Sequence, residues 1–237
     1  MAFCKTIIHV VQPGDTFYRL AQRYQTTVPD IIMRNPGVNP YNLQVGTRLN
    51  ICTGQMENNM QMDELDLNND MRKSWVQHVF WTLLFQTSLF NKLANLEEVQ
   101  NRLMQTPEDI AEVFEKFYPR STVNQLTQLI AEHTRLAGEI MKAMQDNDMQ
   151  RADQLETQWH QNAENVARAL SNANSDYSYD EILRMLNRHL DMLRRQMTAD
   201  LNKDYDDVIR LSDENENQIL ELADYLTKGL LEQFYRS

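Results

Sequence analysis

From residue 70 to its end the chain contains only two prolines, Pro107 and Pro119, and two glycines, Gly138 and Gly229, while apolar residues recur every three or four positions. A stretch with that period buries its apolar side chains as amphipathic helices packed on one another; strands would require alternation with period two. The stripes predict helices over 71–93, 96–117, 121–145, 149–172, 179–201 and 203–235. The second of these is a shorter pair broken near Thr106-Pro107, where Thr106 is placed to cap the following turn. The expected product is an all-α antiparallel bundle of five long helices with short connectors. Residues 75–90 lack formal charge but include Gln77, His78, Thr82, Gln86, Thr87 and Ser88, which reads as a buried bundle helix rather than a membrane span.

The first 54 residues have a different texture. They hold four of the six prolines, four of the six glycines and both cysteines. They carry a balance of +3 within a chain of net charge −11, so the remainder carries −14. Residues 55–69 are polar, rich in Met and Asn, and without a clear period, as expected of a linker with room for a nascent helical turn. The organisation expected is therefore a domain over 1–54, a linker over 55–69 and a helical domain over 70–237. The acidity argues against a nucleic-acid partner. The start, MAFCKTIIHV, has no apolar core ending in small residues, so no secretory signal is read there.

Within the first domain, residues 7–11 (IIHVV) form a β-prone run stopped by Pro13-Gly14. Asp15 and Thr16 offer capping oxygens to a helix over 17–24, and Thr27-Val28-Pro29-Asp30 opens a second helix that stops at Asn35-Pro36-Gly37. A Pro- and Asn-rich loop, Gly46 and a strand over 47–51 complete the order strand, helix, helix, strand. HVVQPGDTFYRLAQRY, VPDIIMRNPGVNP and LQVGTRLNI, in that order, resemble a LysM domain. The resemblance covers residues 7–51 and implies a small βααβ module that binds N-acetylglucosamine-containing glycans, peptidoglycan or chitin. Carried over by position, the groove would comprise Gly14, Asp15, Thr16 and Phe17 opposite Pro40, Tyr41, Asn42, Leu43 and Val45. There the backbone would meet the N-acetyl amide and small apolar groups its methyl. Asp15 and Thr16 are equally expected as plain helix caps, and Tyr41 as an ordinary loop aromatic. Phe17-Tyr18 departs from the usual family pattern, which leaves the ligand preference open.

Cys4 precedes the first strand and Cys52 follows the second. Antiparallel pairing of the strands would bring the two together, so a Cys4–Cys52 disulfide is expected, against two reduced thiols as the alternative. His9, inside the first strand, reads as structural.

In the helical part, His78, His133, Asn162, His189 and Glu216 interrupt the apolar sides of five different helices, at spacings of 55, 29, 27 and 27 residues. Turns near 147, 175 and 202 nearly bisect the last three gaps, so antiparallel neighbours would bring these groups to one depth. One reading is a hydrogen-bonded polar layer that sets helix register. Another is a metal site in which His78, His133, His189 and Glu216 hold Zn, Fe or Mn; a third is catalysis without a metal. The layer loosely resembles ferritin-like bundles, whose Glu-x-x-His pairs are nevertheless missing. Phosphate loops, nucleophile elbows and HExxH motifs are also missing, so the chain reads as leaning non-enzymatic. Two functions follow as expectations. One is a non-catalytic wall-binding protein, its module anchoring a bundle that provides structure or protein contacts. The other is a metal-binding or enzymatic bundle localised by the module. The pairing of such a module with a helical domain resembles proteins of spore-forming bacteria, which points to the cell wall or spore envelope, with the cytoplasm as the alternative location.

Overall fold

The computed structural model describes residues 5–40, 43–53 and 56–236. The chain divides into two compact units, residues 1–67 with 230–237, and residues 68–229. The N-terminal unit contains strand β1 (Lys5–Val10), helices α1 (Phe17–Tyr24) and α2 (Val28–Arg34), and strand β2 (Arg48–Thr53). The strands pair antiparallel, from Lys5 opposite Thr53 to Val10 opposite Arg48. One core forms between sheet and helices from Val11, Phe17, Leu20, Ala21, Ile31, Leu49 and Ile51.

Local chemistry sets the boundaries of this module. Thr16 Oγ1 accepts the Arg19 N–H at 3.1 Å and Thr27 Oγ1 accepts that of Asp30 at 3.2 Å, so each helix starts on a hydroxyl cap. Asn35 closes α2: its side-chain amide donates to Ile31 O at 2.7 Å and Asn50 O at 2.9 Å, while its Oδ1 accepts the Asn50 N–H at 2.8 Å. That buried amide ties the end of α2 to the middle of β2. Cys52, 1% exposed, is disulfide-bonded; Cys4, its expected partner, lies outside the described residues.

The remainder is helical: α3 (Met56–Phe90), α4 (Leu96–Leu103), α5 (Thr106–Phe114), α6 (Arg120–Gln145), α7 (Met149–Ala173), α8 (Tyr179–Leu201) and α9 (Tyr205–Leu231), ending in a π-turn over Glu232–Arg236. The segment expected as an aperiodic linker is helical from Met56 on, continuous with α3. Asp148 and Ser178 cap α7 and α8 through their side chains. The ends of α3, α6 and α8 turn on left-handed residues other than glycine, Lys92 (φ 53°), Asn147 (φ 59°) and Lys203 (φ 64°). At each, the next N–H reaches back to close the last turn: Leu93 to Ser88 O, Asp148 to Ala143 O and Asp204 to Ala199 O.

From α6 onward, short turns make each helix antiparallel to the next. The α3–α6 contacts instead advance together along both helices: His78 meets His133, Phe85 meets Gly138, and Leu89 O accepts from Gln145 Nε2. The same holds between α3 and α8, where Gln86 Nε2 donates to Asp200 Oδ2 at 2.9 Å. Thus α3, α6 and α8 run parallel, and the short α4 and α5 serve as the crossover that makes this possible. Three apolar residues of the helices predicted over 71–93 and 203–235 face out: Phe80 (55% exposed), Leu93 (43%) and Ile209 (62%).

Candidate glycan groove and candidate metal centre

In the N-terminal module the turn after β1 and the loop before β2 lie side by side. Val11 N–H donates to Thr47 O at 2.9 Å, and Gly46 N–H donates to Val11 O at 2.9 Å. Gly14 (φ 86°) and Gly46 (φ 90°) occupy left-handed positions in these two turns, which glycine adopts without penalty. Gly14, Thr16 and Val45 are exposed, whereas Pro40 and Leu43 are half-buried. Tyr41 and Asn42 lie outside the described residues. Phe17, 3% exposed, packs in the core, so the ring faces away from any ligand and only its backbone borders the turn.

Asp15 is committed internally. One of its carboxylate oxygens accepts the Gln12 N–H at 2.8 Å and the His9 Nε2–H at 2.7 Å, and the other lies 3.2 Å from Arg23. His9 Nδ1 pairs in turn with the Tyr24 hydroxyl at 2.8 Å. Burial pushes the Asp15 carboxyl up, but the Gln12 N–H, the His9 ring and Arg23 outweigh it and hold it below its ordinary value. The helix cap falls to Thr16 alone, while Asp15 braces the turn against β1 and α1.

A small sheet closed by two capped helices, with two turns laced together by their backbones, defines a compact βααβ module. Residues 9–51 match the family model described as LysM domain: the N-terminal module is a LysM domain, and the function that this supports is binding of N-acetylglucosamine-containing glycans. No curated protein and no solved structure matches the chain. Among the described residues, no helix is long and apolar enough to cross a membrane.

The second site lies inside the helical unit. His78, His133 and His189 are all buried, and one ring nitrogen from each lies within 4.8 Å of the others. The His133 ring sits between its neighbours, with centroids 6.2 Å from His78 and 5.7 Å from His189. Trp159 lies 5.1 Å from His133 and Trp75 lies 6.4 Å from His78. Both outer rings are held from behind. His78 Nδ1 pairs with Thr106 Oγ1 at 2.8 Å, and His189 Nδ1 with Asn215 Oδ1 at 2.7 Å. Burial lowers the pKa of all three: His78 to about 3, His133 well below the ordinary value with help from its two neighbours, and His189 less, because Asn215 opposes the shift. All three rings are therefore neutral at physiological pH.

The other expected members of the layer are placed differently. Asn162 is buried one turn along α7 from Trp159; its amide donates to Leu129 O at 3.0 Å and its Oδ1 has no partner among the described residues. Glu216 is exposed and does not join the cluster; Asn215, one residue earlier, takes the interior position. The reason is helix phase: the first half of α9 offers Leu211 as its one fully buried apolar side chain, so the inward face is carried by Asn215 and Gln218. Thr106 serves as a partner of His78 instead of capping α5; its hydroxyl donates to Leu103 O at 2.8 Å. Asn215, Thr106 and the Gln86–Asp200 pair escape a reading based on apolar stripes. A signal does exist in the spacing of Ser74, His78, Thr82 and Gln86, four residues apart along one buried line of α3.

Proposed function

We propose that this protein is a non-catalytic glycan-binding protein that attaches to cell-wall or spore-envelope layers through residues 9–51 and carries its helical bundle there. The observation that carries this reading is the LysM match together with the backbone lacing of the 11–16 turn to the 43–47 loop. That lacing favours a groove whose amide-binding groups are main chain and preset before a ligand arrives, which lowers the ordering cost of binding. Gly14, Thr16, Pro40, Leu43 and Val45 are its proposed lining. The helical bundle supplies structure or contacts to a protein partner.

The test is retention of the full chain on insoluble peptidoglycan and on chitin. Val45 is 62% exposed, so Val45→Asp leaves the core intact while placing a carboxylate in the groove. Retention of the wild type with loss in Val45→Asp is the expected result. A wild-type chain that neither polymer retains would overturn the reading.

A further inference from the structure

We propose that His78, His133 and His189 form a binding site for one divalent transition-metal ion of the borderline class, with Zn²⁺ as its type. The proposal is independent of the glycan reading, because it concerns the helical unit alone.

The argument begins with protons. The Thr106 hydroxyl already donates to Leu103 O, so toward His78 it can only accept, and the His78 Nδ1 carries the hydrogen. Asn215 Oδ1 is likewise an acceptor, so His189 Nδ1 carries the hydrogen. In both neutral rings the remaining nitrogen, Nε2, is a bare lone pair. His133 has no hydrogen bond among the described residues, and its neutral ring owns one N–H. It cannot satisfy two neighbouring lone pairs and its own second nitrogen at once. Three imidazoles therefore meet in the interior with more acceptors than protons. A cation coordinated by all three nitrogens removes the deficit.

The surroundings fit a nitrogen-coordinated ion. Each outer histidine donates its distal N–H to an oxygen, the second contact that orients metal-binding imidazoles and fixes their tautomer. Among the described residues no carboxylate joins the group, which disfavours Mg²⁺, Ca²⁺ and other oxygen-seeking ions and suits Zn²⁺. With Zn–N distances of about 2.0–2.1 Å, one ion can reach three nitrogens that lie within 4.8 Å of one another, which leaves a fourth position for water or hydroxide. Trp75 and Trp159 wall the centre with apolar rings. The common orientation of α3, α6 and α8 gives the site three parallel supports, one ligand from each.

The experiment uses the full chain, stripped with a chelator and titrated separately with Zn²⁺ and with Co²⁺ as a spectroscopic probe. One equivalent of metal bound, a tetrahedral Co²⁺ spectrum and a melting temperature that rises with free metal are expected. His133→Ala should lose binding by tenfold or more, whereas His160→Ala, whose ring pairs with Asn187 at 2.9 Å on the α7–α8 face, should keep it. Asn215→Asp places a carboxylate behind His189 and should tighten binding by about tenfold, a readout that survives even if His133→Ala fails to fold. A wild-type chain that binds no Co²⁺ and melts unchanged would overturn the proposal and leave a bound water or a bare imidazole cluster. Binding unaffected by both His133→Ala and Asn215→Asp would overturn it as well, by placing the metal elsewhere.

Discussion

The Tyr177 ring stands where a side chain on Gly229 would begin: a Cβ built on Gly229 would overlap Tyr177 Cε1. The ring cannot swing aside, because it is buried and its hydroxyl donates to Leu226 O at 2.5 Å. Asn174, three residues before it, donates its side-chain amide to the Gly229 carbonyl at 2.9 Å. Together these contacts lock the α7–α8 turn onto α9. Gly229→Ala should therefore destabilise the protein by about 1–3 kcal/mol through overpacking.

Gly138 supplies the contrast. A Cβ there meets only Phe85 at 3.5 Å, an ordinary contact, inside helix α6. Gly138→Ala should raise stability by roughly 0.5–1 kcal/mol through helix propensity. Thermal denaturation of the two alanine variants checks both signs, and a loss in Gly138→Ala equal to that in Gly229→Ala would contradict the packing described.

Lys203 and Asn147 hold left-handed backbone at the ends of α8 and α6. Lysine pays a steric penalty there of about 1 kcal/mol that glycine does not, and asparagine pays less. Lys203→Gly should raise the midpoint of chemical denaturation, and Asn147→Gly should raise it less. A fall in both would mean that these turns do not keep their left-handed geometry in solution.

The Asp15 carboxyl makes the LysM module acid-sensitive. Its folded pKa lies below the ordinary carboxyl value, so its contribution to stability is complete above that value and disappears as pH falls through the folded pKa. Amide-exchange protection of residues 9–51 in the full chain should weaken as pH drops below about 4, after correction for the intrinsic pH dependence of exchange. In Asp15→Asn, protection should be lower at neutral pH and nearly independent of pH over that range. A wild type with flat protection across the same window would show that the Asp15 contacts contribute nothing.

Cys52 is disulfide-bonded. The proposed partner is Cys4, the other cysteine of the chain, which would close most of the module into one loop. Reduction should then destabilise the module by about 2–4 kcal/mol. Thiol labelling of the unfolded, unreduced protein followed by intact-mass measurement should find neither cysteine modified. Two labelled thiols would refute the pairing.

Much of this architecture was legible in the residues because its causes are local. Thr16 and Thr27 announce helix starts by the reach of one side chain, and the LysM order of strand, turns and helices follows from neighbours in sequence. The apolar stripes of α6, α7 and α8 are regular enough to show which face is buried, and hence that His133, Asn162 and His189 point inward. Local pattern fails where polar residues do the packing. The early part of α9 has too few apolar side chains to define a face, so Glu216 reads as inward when Asn215 is. Residues 56–69 carry no stripe, yet several are good helix formers and continue α3 toward its N-terminus. Tertiary structure alone decided that α3 runs parallel to α6 and α8, through the crossover of α4 and α5, and that Thr106 comes to rest behind His78. Those outcomes depend on which surfaces can be buried together across more than a hundred residues, and no period within a single helix contains that information.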